Sequence, residues 1–150
     1  KFENYGIIEK ELKMKKLIYF SFVLTLIISV IAVNKSESKE KKNYIKVVYF
    51  HSDYRCATCK KLEAYSKETV KEFFTKELKS GSIIWEVINF SREENEHYID
   101  DFQLYNQALI IMKYENGKLK EWKNITKIWE LVGDKTDYFK YVKKEINKFQ

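Results

Sequence analysis

Both cysteines of this 150-residue chain stand together as Cys56-Ala57-Thr58-Cys59. Two cysteines placed at random would fall three apart in about one chain in 75, so chance is a poor account of the pair. A Cys-x-x-Cys unit supports three chemistries: exchange with a partner's disulfide, capture of a soft metal with help from other ligands, or a static staple. A loop this short removes little entropy from the unfolded chain, which weakens the staple reading. Two thiols also exclude a Cys-only zinc site. His51, five residues upstream, is the imidazole within reach, so Cys56, Cys59 and His51 form the alternative set for copper(I), zinc or trivalent arsenic. His97, in the charged run SREENEH, reads as solvent-facing.

The neighbours favour exchange. The spacing predicts that Cys56 opens a helix directly after a buried strand, where free backbone N–H groups and the helix dipole stabilise a thiolate. Arg55 before it, and Lys60 and Lys61 after it, add positive charge in the same turn. Cys59, one turn inside, is expected to be shielded by packing. The pair is then asymmetric, with Cys56 as attacking thiol and Cys59 as resolving thiol. Asp53 and Tyr54 lie in the loop any partner must touch, and with Arg55 they are the expected recognition residues, while His51, Thr58 and Lys60 are expected to tune the pair.

The elements that must hold this motif follow from periodicity. Tyr44–Phe50 is short, β-branched and aromatic, as a buried strand is. From Cys56 to Lys79, apolar residues at Cys59, Leu62, Val70, Phe73, Phe74 and Leu78 recur at helical spacing, and Gly81 supplies a stop. Ile83–Phe90 is again strand-like, giving a βαβ unit with parallel pairing. A polar helix is predicted over 92–105 and a third strand over 108–114. Asn116-Gly117 is a strong hairpin signal leading into a fourth strand over 118–123. A short helical turn over 126–132 precedes a last helix capped by Asp134 and carrying Tyr138, Phe139, Tyr141, Val142, Ile146 and Phe149. The predicted order is βαβαββα, an α/β domain with a four-stranded mixed sheet flanked by helices. Trp85, Trp122 and Trp129 read as packing residues, and Lys140, Lys143, Lys144 and Lys148 as a solvated helix face.

Composition bounds the rest. The chain is 45% apolar and 16% aromatic, with no proline and four glycines, so it has the material for one core and lacks that of a low-complexity chain. No glycine is left over for a phosphate-cradling loop, and no cofactor is expected. Leu17–Val33 is an unbroken apolar run preceded by Lys13, Lys15 and Lys16, so residues 1–33 read as a signal peptide or an N-terminal membrane anchor. Met14 reads as its beginning, with residues 1–13 artefactual. Residues 34–43, NKSESKEKKN, read as a linker and residues 44–150 as the domain. The formal charge of +6 raises the question of anionic partners, but the export signal argues against nucleic acid. An extracytoplasmic, secreted or membrane-anchored monomer is expected.

The stretch VVYFHSDYRCATCKKLEAY resembles the strand, turn and Cys-x-x-Cys helix of thioredoxin-like proteins, and the predicted element order is similar to the minimal thioredoxin fold. More narrowly, YFHSDYRCATCKKLEAYSKE, EVINF, FQLYNQALIIMKYENGK and KIWELVGDKTDYFKYVKKEI look like the nitrophenyl compound nitroreductase subunit family, small exported bacterial proteins of thioredoxin type. The resemblance implies that Cys56 is the nucleophile and Cys59 the resolving residue. It also implies a protein thiol or disulfide as partner and an electron-donor protein in the membrane. Thioredoxins place a cis-proline opposite the dithiol, where Gln107 or Ala108 stands here. Tyr49 stands where thioredoxin holds a buried carboxylate, so the resolving thiol's proton must go elsewhere or to water.

Overall fold

The computed structural model describes Lys15 and residues 43–150, so the leader and nearly all of the linker lie outside the described residues. Among the described residues no helix is long and apolar enough to cross a membrane.

Strand β1 (Asn43–His51) runs through the middle of a four-stranded sheet and is followed by helix α1 (Ala57–Phe73) and a short helix α2 (Thr75–Ser80). Strand β2 (Ile83–Asn89) returns parallel to β1, with Val47 opposite Trp85. A single 3-10 turn (Glu93–Asn95) and helix α3 (His97–Asp101) lead to β3 (Ala108–Glu115) and β4 (Lys118–Asn124). Helices α4 (Ile128–Leu131) and α5 (Lys135–Asn147) end the chain. The strand order is β2-β1-β3-β4; β3 is antiparallel to both of its neighbours.

A central strand buries both faces, which is why β1 and β3 read as nearly continuous apolar runs. Ile45, Val47 and Tyr49 of β1 join Leu109 and Ile111 of β3 beneath Leu62 and Val70 of α1 and Tyr138, Val142 and Ile146 of α5. Val48, Phe50, Ala108, Ile110 and Met112 face the other way, against Phe102, Leu104, Tyr98 and Trp122. Two apolar layers thus grip one sheet.

Two predicted helices differ from expectation. The single helix expected over 56–79 breaks at Phe74, whose backbone leaves helical geometry (φ −128°, ψ 33°) while its ring is buried. Phe74 N–H still bonds the Val70 carbonyl at 3.1 Å, and from there the chain turns into the separate short helix that leads to β2. The polar helix expected over 92–105 shrinks to the 3-10 turn and α3. Gln103, at φ 50°, closes α3, with Leu104 N–H bonded to the Ile99 carbonyl (2.9 Å) and Gln103 N–H to that of Asp100 (3.4 Å). This is a Schellman stop without glycine. The hairpin and last cap are as predicted: Asn116 and Gly117 both hold positive φ (52° and 73°), and the Asp134 carboxylate accepts from Asp137 N–H at 3.0 Å.

Candidate functional site

The loop between β1 and α1 delivers Cys56 to the N-cap position of α1 in extended geometry (φ −67°, ψ 164°), and its Sγ accepts the Cys59 N–H at 3.0 Å. Cys56 and Cys59 are joined as a disulfide with Cα atoms 5.1 Å apart. Cys56 is half-buried and Cys59 is only 3% exposed, so the pair has the asymmetry expected of an outer and an inner sulfur. α1 carries no acidic residue in its first turn, leaving its positive end uncompensated except by the cysteine.

Beneath the pair, the buried Tyr49 hydroxyl donates to the Cys59 carbonyl at 2.7 Å. Burial pushes this phenol up to about 12, against the opposing pull of the Arg55 charge. From α5, the Tyr138 hydroxyl donates to the Leu62 carbonyl at 3.1 Å and bonds Ser66 Oγ at 2.7 Å. Burial raises Tyr138 as well, with the Ser66 bond acting the other way. Two tyrosines thereby fasten the first turns of α1 to the sheet and to α5.

The loop is held from both sides, as its place between the ends of β2 and β3 allows. On the β2 side, Asn89 Nδ2 donates to Asp53 Oδ1 at 2.7 Å and Asp53 N–H donates to Ser91 Oγ at 3.3 Å. On the β3 side, Gln107 Nε2 donates to the Tyr54 carbonyl at 3.0 Å and to Ser52 Oγ at 3.2 Å. Between Gln107, Tyr105, Asn124, Thr126 and Trp129 lies a cleft of about 210 Å³.

The residues singled out from the sequence separate into groups. Tyr54 is 78% exposed, and Thr58 and Lys60 are exposed beside the cysteines, accessible to a partner. Arg55 does not act as a free charge beside Cys56: its guanidinium is ion-paired with Glu63, one turn beyond Cys59 on α1, and its buried Nε has no partner among the described residues. Lys61 lies over the Tyr65 ring. His51 shares its Nδ1 with the Ser52 carbonyl at 2.8 Å, and among the described residues no three His, Cys, Asp or Glu side chains gather to hold a metal. His97 is exposed and 4.0 Å from Asp101.

Glu63 and the Asn89–Ser91 corner belong to the site and were not singled out from the sequence, whereas Tyr49 and Gln107 were placed beside the dithiol by the resemblance to thioredoxins but without the contacts they make here. Glu63 had a signal, since it falls four residues after Cys59 and seven after Cys56 on one helix face. The other contacts depend on strand pairing, which local spacing does not encode.

No protein-family model matches the chain, and no curated relative matches it. Among solved structures it is similar to the reduced thioredoxin pre-protein of Schistosoma mansoni, with a TM-score of 0.45 and 16% identity over 75% of this chain and 85% of that one. It is also similar to the first two thioredoxin domains of Naumovozyma dairenensis Eps1p, with a TM-score of 0.44 and 21% identity over 75% of this chain and 39% of that one. The thioredoxin of Fasciola hepatica aligns with a TM-score of 0.43 and 12% identity over 75% and 86% of the two chains. With its parallel β1–α1–β2 crossover, the antiparallel β3–β4 hairpin, helices on the sheet and a Cys-x-x-Cys pair at the head of α1, the chain has a thioredoxin-like fold.

Proposed function

We propose that this protein is an exported thiol–disulfide oxidoreductase that works through Cys56 and Cys59. The observation that carries the reading is the position of the disulfide: one sulfur is half-exposed at the N-cap of α1 and bonded to a backbone N–H, and the other is buried one turn inside. In the reduced protein, the Cys56 thiolate attacks a partner disulfide, forming a mixed disulfide and releasing one partner thiolate. Cys59 then loses its proton and attacks Cys56 Sγ, releasing the second partner thiolate and closing the Cys56–Cys59 bond. Two electrons pass to the partner, whose two thiolates take up protons. The reverse sequence oxidises a partner dithiol. In the reducing direction, a dithiol donor must reopen the pair, and we assign that part to an electron-donor protein of the membrane.

Export rests on the apolar run over 17–33 and its flanking lysines. Within this reading the protein belongs with the thioredoxin-type subunits of the nitrophenyl compound nitroreductase group, acting there as the thiol component. The experiment is insulin-disulfide reduction with dithiothreitol as the dithiol donor, together with a single mixing of the pre-reduced protein and insulin without donor to capture the mixed disulfide. Wild type is expected to turn over, Cys56→Ser to be inactive, and Cys59→Ser to accumulate a mixed disulfide with the substrate. A wild-type protein that reduces no disulfide overturns the proposal in favour of a binding module with a closed disulfide.

A further inference from the structure

Gln107, the residue before β3, is polar yet only 9% exposed. A buried primary amide must find partners for its N–H groups, and Gln107 finds both on the loop that leads to Cys56. Its Nε2 donates to the Tyr54 carbonyl at 3.0 Å and to Ser52 Oγ at 3.2 Å. Ser52 Oγ donates to the same carbonyl at 3.0 Å, so the three groups close a ring. The Tyr54 carbonyl, two residues before the outer sulfur, therefore carries two donors. Register explains why Gln107 reaches it: Ala108 lies opposite Phe50, which places Gln107 beside the point where the loop leaves β1.

We infer that Gln107 is a positioning residue for the dithiol, its amide clamping the Tyr54 carbonyl and so fixing where the backbone presents Cys56 Sγ above the head of α1. The inference rests on the exchange function proposed above and adds the residue that tunes it. In the oxidised protein, the covalent bond to Cys59 holds Cys56 in place whether or not the loop is clamped. Once that bond opens, the sulfur stays over the Cys59 N–H only if the loop keeps it there. The dipole's influence falls off within the first helical turn, so a small drift forfeits it. The clamp thus acts on the reduced form. Its loss leaves a less stabilised thiolate, a higher Cys56 pKa and an equilibrium displaced toward the disulfide.

The test uses Gln107→Met, similar in length but without a donor. The readouts are the pH dependence of Cys56 alkylation and the dithiol–disulfide equilibrium against glutathione. Gln107→Met is expected to raise the Cys56 pKa by about half a unit, slowing alkylation about threefold well below that pKa. Above that pKa, where the thiolate is the reduced species, the glutathione equilibrium should move toward the disulfide by a similar factor. Ser52→Ala removes one donor from the same carbonyl, is expected to shift both readouts in the same direction by less, and serves if Gln107→Met does not fold. Unchanged pKa and equilibrium in the folded variant overturn the clamp. The exchange function stands or falls separately, on whether the wild type turns over a disulfide substrate.

Discussion

At the dithiol the electrostatics are less one-sided than a count of nearby cations suggests. Arg55 precedes Cys56, but its guanidinium is committed to Glu63, and this carboxylate sits on the same stretch of α1 as both cysteines. An anion there opposes a thiolate while holding in place the cation that favours one. Glu63→Gln keeps the shape and removes the anion, leaving Arg55 uncompensated. The Cys56 pKa is then expected to fall, and alkylation below pH 7 to quicken by about threefold, the size of a half-unit shift. Stability should drop by about 1 kcal/mol as a half-buried pair loses one partner. Alkylation profiles over pH with a urea titration check both outcomes, and a slower reaction would mean that Arg55 does not act on the sulfur. The cysteines themselves were legible from spacing alone. Glu63 was visible at i+4 but indistinguishable from an ordinary solvated helix residue, and Gln107 acquires its role only when β3 pairs with β1.

At the level of elements, α1 has two tasks that pull against each other. A helix is ordinarily steadied by acidic residues in its first turn, yet this one has none. The omission fits a helix whose positive end serves a thiolate. Thr58→Glu, at an exposed first-turn position, is therefore expected to raise the thermal midpoint slightly through the dipole while raising the Cys56 pKa by about half a unit. Thermal melts and alkylation kinetics on one preparation measure the two together, and a pKa that stays put would detach the sulfur from the helix end. The same helix shows where sequence reasoning stops. The strands, the Asn116–Gly117 turn and the Asp134 cap were readable because apolar period, turn chemistry and capping are local signals. The break at Phe74 was not, because Phe73 and Phe74 both suit a helical pattern and only the sheet beneath decides which ring is buried. The segment over 92–105 misled for a related reason. Its polar residues are compatible with a helix, but Asn95 Nδ2 is bonded to the Asn89 carbonyl (3.0 Å) and Gln103 turns the chain.

Across the whole molecule, the sheet, α1 and α5 are joined by buried hydroxyls as well as apolar packing, and this makes stability answer to pH at both ends. Burial works to raise the Glu145 carboxyl, but hydrogen bonds from Lys123 (2.7 Å) and Lys148 (2.6 Å) outweigh it and hold the group below its usual range. Its contribution is present above the unfolded carboxyl pKa and is lost as pH falls through the folded one. The phenols act in the opposite sense. An unfolded tyrosine releases its proton near pH 10, whereas burial holds Tyr49 up to about 12 and raises Tyr138 in the same direction. Above pH 10 the unfolded chain sheds protons that the folded chain keeps. Stability is thus fully present below that pH and declines as pH rises toward 12, by about 1.4 kcal/mol per pH unit for each retained proton. Urea titrations of the oxidised protein, in which neither cysteine titrates, follow this limb; Lys46, Lys123 and Lys135, also raised, decline over the same range, so the comparison with a variant singles out one phenol. Tyr49→Phe is expected to cost about 1 kcal/mol at pH 7 through the lost bond to the Cys59 carbonyl. It should also make the alkaline decline shallower by one proton's worth, so that wild type and variant converge as pH climbs past 10. Parallel alkaline limbs would mean that the Tyr49 phenol ionises equally in both states, and the hydroxyl could not then be the buried tie between β1 and the helix that carries the dithiol.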